Sequence, residues 1–171
     1  MSDKYARVER ERRFLLAAPP PPAAVTATRR IADRYLDGTR LRLRMMVEPD
    51  GAAPIYKLTQ KIPAEHPGPV QGLITNTYLT RAEYEVLAAL PAATLDKTRL
   101  GVPPLGIDVF DGPLRGLVLA EAEFDSDEAA HAFRPPVAAV AEVTTDPRFT
   151  GGRLARAERG ELLGWLAEYG I

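Results

Sequence analysis

The chain contains no cysteine among its 171 residues. Disulfide bonds, thiolate nucleophiles and zinc–thiolate centres are therefore excluded. No apolar run approaches the roughly 20 residues that a membrane-spanning helix needs, and the first residues lack the apolar segment of a signal peptide. The formal net charge is -1, so no overall field draws the protein towards nucleic acid or an anionic membrane. These absences predict a cytoplasmic protein with neither a nucleic acid nor a membrane as its partner.

Turn signals divide the chain into short runs in which charged and apolar residues alternate. Asp37-Gly38 and Asp111-Gly112-Pro113 are strong examples. The segment 63–72, which mixes prolines and glycines with polar residues, is predicted to be a mobile loop. Eight strands are expected, at residues 6–16, 28–36, 40–47, 54–62, 74–79, 93–100, 106–111 and 114–124, with a further extended segment at 140–145.

Helices are predicted to be few and short. Thr80 and Glu83 have the spacing of a capping box, which predicts a helix over 81–90. Ser126 is expected to begin a second helix that reaches Phe133. Leucines at helical spacing predict an amphipathic helix over 156–169. The length favours one domain, 1–171, with the C-terminal helical part, 155–171, packed on the rest.

Glu9, Glu11 and Arg13 occupy every second position near the start of the chain. On an extended strand, residues two apart lie on the same face, so two carboxylates and a guanidinium share one side. Burying such charges in an apolar core is costly. The same groups are well suited to hold a hard divalent cation beside phosphate oxygens.

The same alternation of charge returns on later strands, and the residues between the charges are largely apolar. Closing an antiparallel sheet of this size hides its edges and creates an interior. We therefore predict a mainly β (α+β) fold, a closed eight-stranded antiparallel β-barrel whose tunnel is charged and holds an ionic ligand. The alternating residues are Arg40, Arg42 and Arg44; Lys57 and Lys61; Lys97 and Arg99; and Glu121 and Glu123.

Each charged pair, taken alone, would indicate a solvated strand face. The arginines of 40–44 would also suit a nucleic-acid patch, but no aromatic residues are interleaved for base stacking. His66 and His131 are expected to face solvent. The recurrence of the pattern on several strands is what favours an anion-binding lumen.

Six strand motifs and one later segment together resemble the CYTH family, the triphosphate tunnel metalloenzymes, over roughly residues 5–155. The family's opening Glu-x-Glu-x-Lys strand corresponds to Glu9, Glu11 and Arg13. Its paired-arginine strand corresponds to Arg42 and Arg44, its Leu-Thr-x-Lys strand to Leu58, Thr59 and Lys61, and its Lys-Thr-Arg strand to Lys97, Thr98 and Arg99. Its Asp-x-Phe strand corresponds to Asp108 and Phe110, its closing strand to Gly116, Leu117, Glu121 and Glu123, and a later segment to Glu142, Val143 and Thr144.

The resemblance implies a tunnel enzyme that binds triphosphate compounds through basic residues and Mg²⁺ or Mn²⁺ through acidic ones. The implied catalytic residues are Glu9, Glu11 and Arg13. The implied metal ligands are Glu9, Glu11, Asp108, Glu121 and Glu123. The implied substrate-binding residues are Arg13, Arg40, Arg42, Arg44, Lys57, Lys61, Lys97 and Arg99.

Two positions depart from the family pattern. Arg13 stands where the family has lysine, and the predicted fifth strand, 74–79, carries no acid where many members have a glutamate. The leading hypothesis is metal-dependent hydrolysis of inorganic triphosphate or a related small triphosphate. The alternatives are a class IV-type adenylate cyclase and a non-catalytic module that binds polyphosphate or a nucleoside triphosphate. The sequence is also compatible with a homodimer.

Overall fold

The computed structural model describes residues 4–171, so the first three residues of the predicted domain lie outside the described part. Most of the chain forms antiparallel strands joined by short turns, as the alternating pattern predicts. The strands are β1 (Arg7–Leu16), β2 (Ala27–Leu36), β3 (Leu41–Val47), β4 (Ile55–Pro63), β5 (Val70–Leu79), β6 (Ala92–Val102), β7 (Leu105–Phe110), β8 (Val118–Glu123) and β9 (Ala139–Glu142).

The first eight strands form a closed barrel, which confirms the predicted fold. Hydrogen bonding runs in the order β5-β4-β3-β2-β6-β7-β8-β1, and a β1–β5 pairing closes the ring. The first half of β1 pairs with β5, and its second half pairs with β8 on one side and with the extra strand β9 on the other. β1 is therefore the seam of the barrel, and β9 covers the part of its edge that β5 leaves free.

Within the described part of the chain, four short helices flank the barrel: α1 (Arg81–Ala88), α2 (Asp127–Ala132), α3 (Gly151–Leu154) and α4 (Arg159–Ala167). The capping box of Thr80 and Glu83 is present at the start of α1. The single helix predicted over 156–169 begins only at Arg159, because a second capping box, formed by Glu158 and Glu161, sets its start. Within residues 4–171, no helix is both long enough and apolar enough to cross a membrane.

The inward-facing rows of the barrel change from charged to apolar at one end. On β1, the row of Glu9, Glu11 and Arg13 continues into Leu15, which is fully buried. The corresponding residues of β6, β7 and β8 join the same buried cluster, and so do side chains of α4. The C-terminal helix thus packs into one end of the barrel, and the charged section of the lumen lies beyond this apolar plug. The members contributed by these four elements are Leu95, Phe110, Leu119, Leu162 and Leu166.

Three strand boundaries differ from the sequence-based expectation by three residues or more. β5 begins at Val70 rather than at residue 74, which leaves only 64–69 as the loop. It continues through a bulge in its pairing with β1, where Gly72 adopts a φ of 133°. β8 begins at Val118 rather than at residue 114, because a 3-10 turn (Gly112–Leu114) and Gly116, with a φ of 100°, precede it. The last extended segment is β9, which ends at Glu142 rather than at residue 145.

Replacing Gly72 by alanine is expected to destabilise the barrel at its closing seam. A Cβ at this position would overlap the backbone carbonyl of Ile62, and the φ of 133° is one that L-residues rarely adopt. We expect a loss of about 2 kcal/mol or more in the free energy of unfolding, measured by denaturant titration. Gly68→Ala is the control, since a Cβ there meets no atom within 4 Å. Equal stability of the two variants would contradict this account of the seam.

Candidate functional site

The charged section of the lumen encloses a narrow cavity of about 110 Å³. Among the described residues 4–171, eight basic and four acidic side chains line it. It adjoins a wider mouth of about 370 Å³ beside the β2–β3 turn and α3. A cavity of this charge is suited to a compact polyanion. The cations are Arg7, Arg13, Arg42, Arg44, Lys57, Lys61, Lys97 and Arg99, and the anions are Glu9, Glu11, Glu121 and Glu123.

Four of the five carboxylates that the sequence predicts as metal ligands line this one cavity. Both oxygens of Glu9 accept hydrogen bonds from Lys61 Nζ at 2.8 Å. Glu121 accepts a hydrogen bond from Arg99 Nη2, whereas Glu123 is exposed and also lines an outer pocket. Among residues 4–171, no three acidic or histidine side chains converge on one point as a metal cage. Binding of a cation by more than two of these carboxylates therefore requires their ion pairs to open.

Glu11 is a carboxylate of the cavity with a strongly raised pKa. Burial raises its pKa to about 8, and the negative charge of Glu121 adds to the effect. Burial alone would also raise the pKa of Glu121, but Arg99 and Lys97 lower it below its ordinary value. A divalent cation bound beside Glu11 would favour the ionised form of this carboxyl. The donor chemistry fits Mg²⁺ or Mn²⁺, which prefer carboxylate oxygens.

Asp108, the fifth predicted ligand, lies behind the cavity rather than in its lining. Its side chain is fully buried, and its oxygens accept hydrogen bonds from Lys97 Nζ and from Nε and Nη2 of Arg99. A Cβ at Gly106, on the same strand, would meet the Arg99 side chain at 3.4 Å, so this glycine makes room for the guanidinium. The geometry gives Asp108 the part of a counter-ion that orients two cations, and its role as a metal ligand stays a prediction.

Asp33 is also a counter-ion that orients a cation of the cavity, and the sequence did not identify it. Its carboxylate accepts two hydrogen bonds from Arg44, from Nε at 2.6 Å and from Nη2 at 2.7 Å. Burial opposes ionisation of Asp33, but Arg44 and Arg42 outweigh it and lower its pKa to about 2. Asp33 lies opposite Arg44 in the β2–β3 pairing, so the strand register, once known, would have identified it.

Arg42 and Lys57 are two predicted phosphate-binding cations that line the cavity. Arg42 donates to Thr59 Oγ1 at 3.2 Å, while its buried Nε has no hydrogen-bond partner within the described residues 4–171. Burial lowers the pKa of Lys57 to about 8, and the positive charges of Arg44 and Arg42 add to this effect. An anionic ligand in the cavity would stabilise the charged form of Lys57.

Two other predicted binders are placed differently. Arg40 precedes β3, is exposed, and lines only the wide mouth. Arg13 lines the cavity, but its terminal nitrogens donate to neighbouring carbonyl oxygens rather than pointing freely into the space. Of the eight predicted cations, the structure therefore brings seven together around the cavity and leaves Arg40 at its entrance.

The sequence reasoning also missed polar residues that carry no charge. Asn76 on β5 lines the cavity at the level of Thr59 on β4, and its Oδ1 accepts a hydrogen bond from Thr59 Oγ1 at 2.8 Å. Tyr35 lines both the cavity and the mouth, and burial raises its pKa to about 12. Alternation on β2 and β5 places both residues inward, so face assignment could have found them where charge alone did not.

The comparisons with known proteins found similarity to inorganic triphosphatases. No known family model matches the chain. An inorganic triphosphatase of Nitrosomonas europaea is 39% identical over 92 residues. That match covers 45% of this chain and spans 61% of the length of that relative.

Solved structures support the same relationship over more of the chain. The crystal structure of the inorganic triphosphatase NE1496 is 28% identical, with a TM-score of 0.55, and the match covers 87% of this chain and 95% of that one. A second crystal structure of NE1496 is 29% identical, with a TM-score of 0.56, over 88% of this chain and 99% of that one. The PH1819 protein of Pyrococcus horikoshii OT3, at 15% identity and a TM-score of 0.51 over 95% of this chain and 90% of that one, shows the fold alone.

Replacing Asp33 by asparagine is expected to destabilise the protein because it leaves the buried guanidinium of Arg44 without its counter-ion. Breaking a buried ion pair in this way costs about 3 kcal/mol or more. Since the pKa of Asp33 is lower folded than unfolded, this stabilisation is present above about pH 4 and is lost as the pH falls towards 2.

Denaturant titrations of the wild type and Asp33→Asn between pH 7 and pH 2 would test both statements. The difference in the free energy of unfolding should be full at neutral pH and should shrink below pH 4. Asp96→Asn, at an exposed position of β6, is the control and should change stability by less than about 0.5 kcal/mol. A constant difference across the whole pH range would refute the ionic explanation.

Proposed function

We propose that this protein is a metal-dependent triphosphatase that hydrolyses inorganic triphosphate or a related small triphosphate within the lumen of its barrel. The observation that carries the proposal is the enclosed cavity with eight cations facing four carboxylates. A triphosphate carries about four or five negative charges near neutral pH, which an excess of this kind would match. The similarity to an inorganic triphosphatase supports this substrate class. Membership of the triphosphate tunnel metalloenzymes is part of the proposal, and the cytoplasmic location stays a prediction.

The cations of the cavity would bind and orient the phosphate chain. Arg44 and Arg99 are held in fixed directions by Asp33 and Asp108, so they are pre-organised for oxygen atoms. Arg42, Lys57, Lys61 and Lys97 complete the positive lining. Such groups stabilise the charge on the equatorial oxygens during in-line displacement, and phosphoryl transfer depends mainly on this positioning.

Glu9, Glu11, Glu121 and Glu123 would hold the cation. When bound, Mg²⁺ or Mn²⁺ supplies Lewis-acid polarisation of phosphoryl oxygens and neutralises charge. One of these carboxylates would orient a water molecule for attack on phosphorus. An anion that takes up Lys61 and Arg99 would free Glu9 and Glu121 from their ion pairs, so substrate binding would make these two carboxylates available.

A non-catalytic module that binds polyphosphate or a nucleoside triphosphate is the second candidate. It is favoured by Asn76, which occupies an inward position on β5 where a further carboxylate would strengthen cation binding. Such a module would use the same cations without turnover.

Phosphate release distinguishes the two candidates. We expect release from inorganic triphosphate with Mg²⁺ or Mn²⁺, none with EDTA, and a loss of at least about 100-fold in kcat/KM in the Glu9→Gln/Glu11→Gln variant, because two charged oxygen donors are removed. ATP and thiamine triphosphate, assayed alongside, would rank the substrates, and formation of cyclic AMP from ATP would indicate a cyclase instead.

The control is Glu85→Gln/Glu128→Gln, which removes two exposed carboxylates from α1 and α2 and should retain wild-type activity. Tight binding of triphosphate by calorimetry, without phosphate release under any metal, would exclude the hydrolase and leave the binding module.

A further inference from the structure

The guanidinium of Arg13 donates three hydrogen bonds to other groups of the protein. Nη2 donates to Thr144 O at 2.8 Å and to Gln71 Oε1 at 3.1 Å, and Nη1 donates to Phe149 O at 3.3 Å. Its Nε lies 3.7 Å from Glu11 Oε1 and has no hydrogen-bond partner within residues 4–171. Both N–H groups of Nη2 are therefore occupied, and the guanidinium is fixed on three sides.

The groups that Arg13 contacts belong to the two segments that border the mouth. Gln71, at the start of β5, donates in turn to Gly68 O at 2.6 Å, which ties down the loop 64–69. Thr144 and Phe149 bound the segment that leads into α3. The ring of Phe149 is buried against Trp165 of α4 and Tyr169, so this segment also anchors the C-terminal helix.

We infer that Arg13 is a positioning residue, one that acts on the triphosphate site through the segments 64–71 and 144–150 rather than through direct contact with phosphate. The expected change in KM rests on the proposed function, whereas the expected change in hydrogen exchange does not. Arginine suits the position because a planar guanidinium reaches three separate acceptors. Lysine carries its donors on one atom and cannot bridge the same carbonyls. The arginine at this position can therefore hold the neighbouring segments in place, which a lysine could not do.

Arg13→Lys is the decisive variant because it keeps the charge and removes the bridge. In this variant we expect hydrogen exchange in the segments 64–71 and 144–150 to be faster than in the wild type, while exchange in the remaining strands stays unchanged. For inorganic triphosphate, we expect KM to rise about tenfold while kcat stays within about threefold, as for lost pre-organisation of binding groups. Arg10→Lys is the matched control, since Arg10 lies on the same strand but pairs with Asp127 outside the lumen.

A double-mutant cycle with Gln71→Met separates positioning from direct contact. If Arg13 acts through Gln71 and the neighbouring segment, the double variant should show the same KM as Arg13→Lys alone. Multiplying effects, together with unchanged exchange in both segments, would overturn the proposal and make Arg13 a phosphate ligand. Faster exchange with an unchanged KM would overturn its link to the site. If the wild type releases no phosphate, the proposed function fails, but the exchange experiment still decides the structural role of Arg13.

Discussion

Two buried carboxylates, Asp33 and Asp108, are the constraint on which the charged lumen depends. Each is almost completely shielded from water, and together they hold Arg44, Lys97 and Arg99. Without them, Arg44 and Lys97 would lose the buried carboxylates that pair with them, and each such loss costs about 3 kcal/mol or more. Because the carboxylates lie in the wall, the cations extend from it into the cavity. The lumen can therefore be strongly positive without destabilising the barrel.

Much of this arrangement could be predicted from the sequence because charged residues recur at every second position of the strands. The alternation of Glu9, Glu11 and Arg13 determines which side chains share a face, and short turn signals determine that neighbouring strands are antiparallel. Closure of the barrel and the clustering of the charges both follow. Alternation places Asp33 on the same face of β2 as Tyr35, but its role as a counter-ion depends on facing Arg44 across the strand pair and could not be read from one strand. The start of β5 was missed for a similar reason, since the bulge at Gly72 exists only in the pairing with β1.

Arg13 shows where inference from residue type reaches its limit. A cation on the lumen face of the first strand is expected to bind substrate, and its position beside Glu11 fits that expectation. The structure places acceptors from two other segments within reach of the same guanidinium. Those acceptors are backbone carbonyls of Thr144 and Phe149 and the side chain of Gln71. Since two of the three are backbone groups, they carry no sequence signal.

The ion pairs of the cavity couple its phosphate-binding cations to its carboxylates. Lys61 and Arg99 are shared between the carboxylates Glu9 and Glu121 and any phosphate that enters, while the same carboxylates are the donors available to a cation. Beyond them, the apolar plug of Leu15 and Leu119 excludes water, which strengthens every charge interaction nearby. A polyanion that binds Lys61 and Arg99 would release Glu9 and Glu121 for a divalent cation. A cation that binds these carboxylates would in turn release Lys61 and Arg99 for the polyanion. If the proposed function holds, a metal and a triphosphate would therefore bind together more favourably than either ion alone.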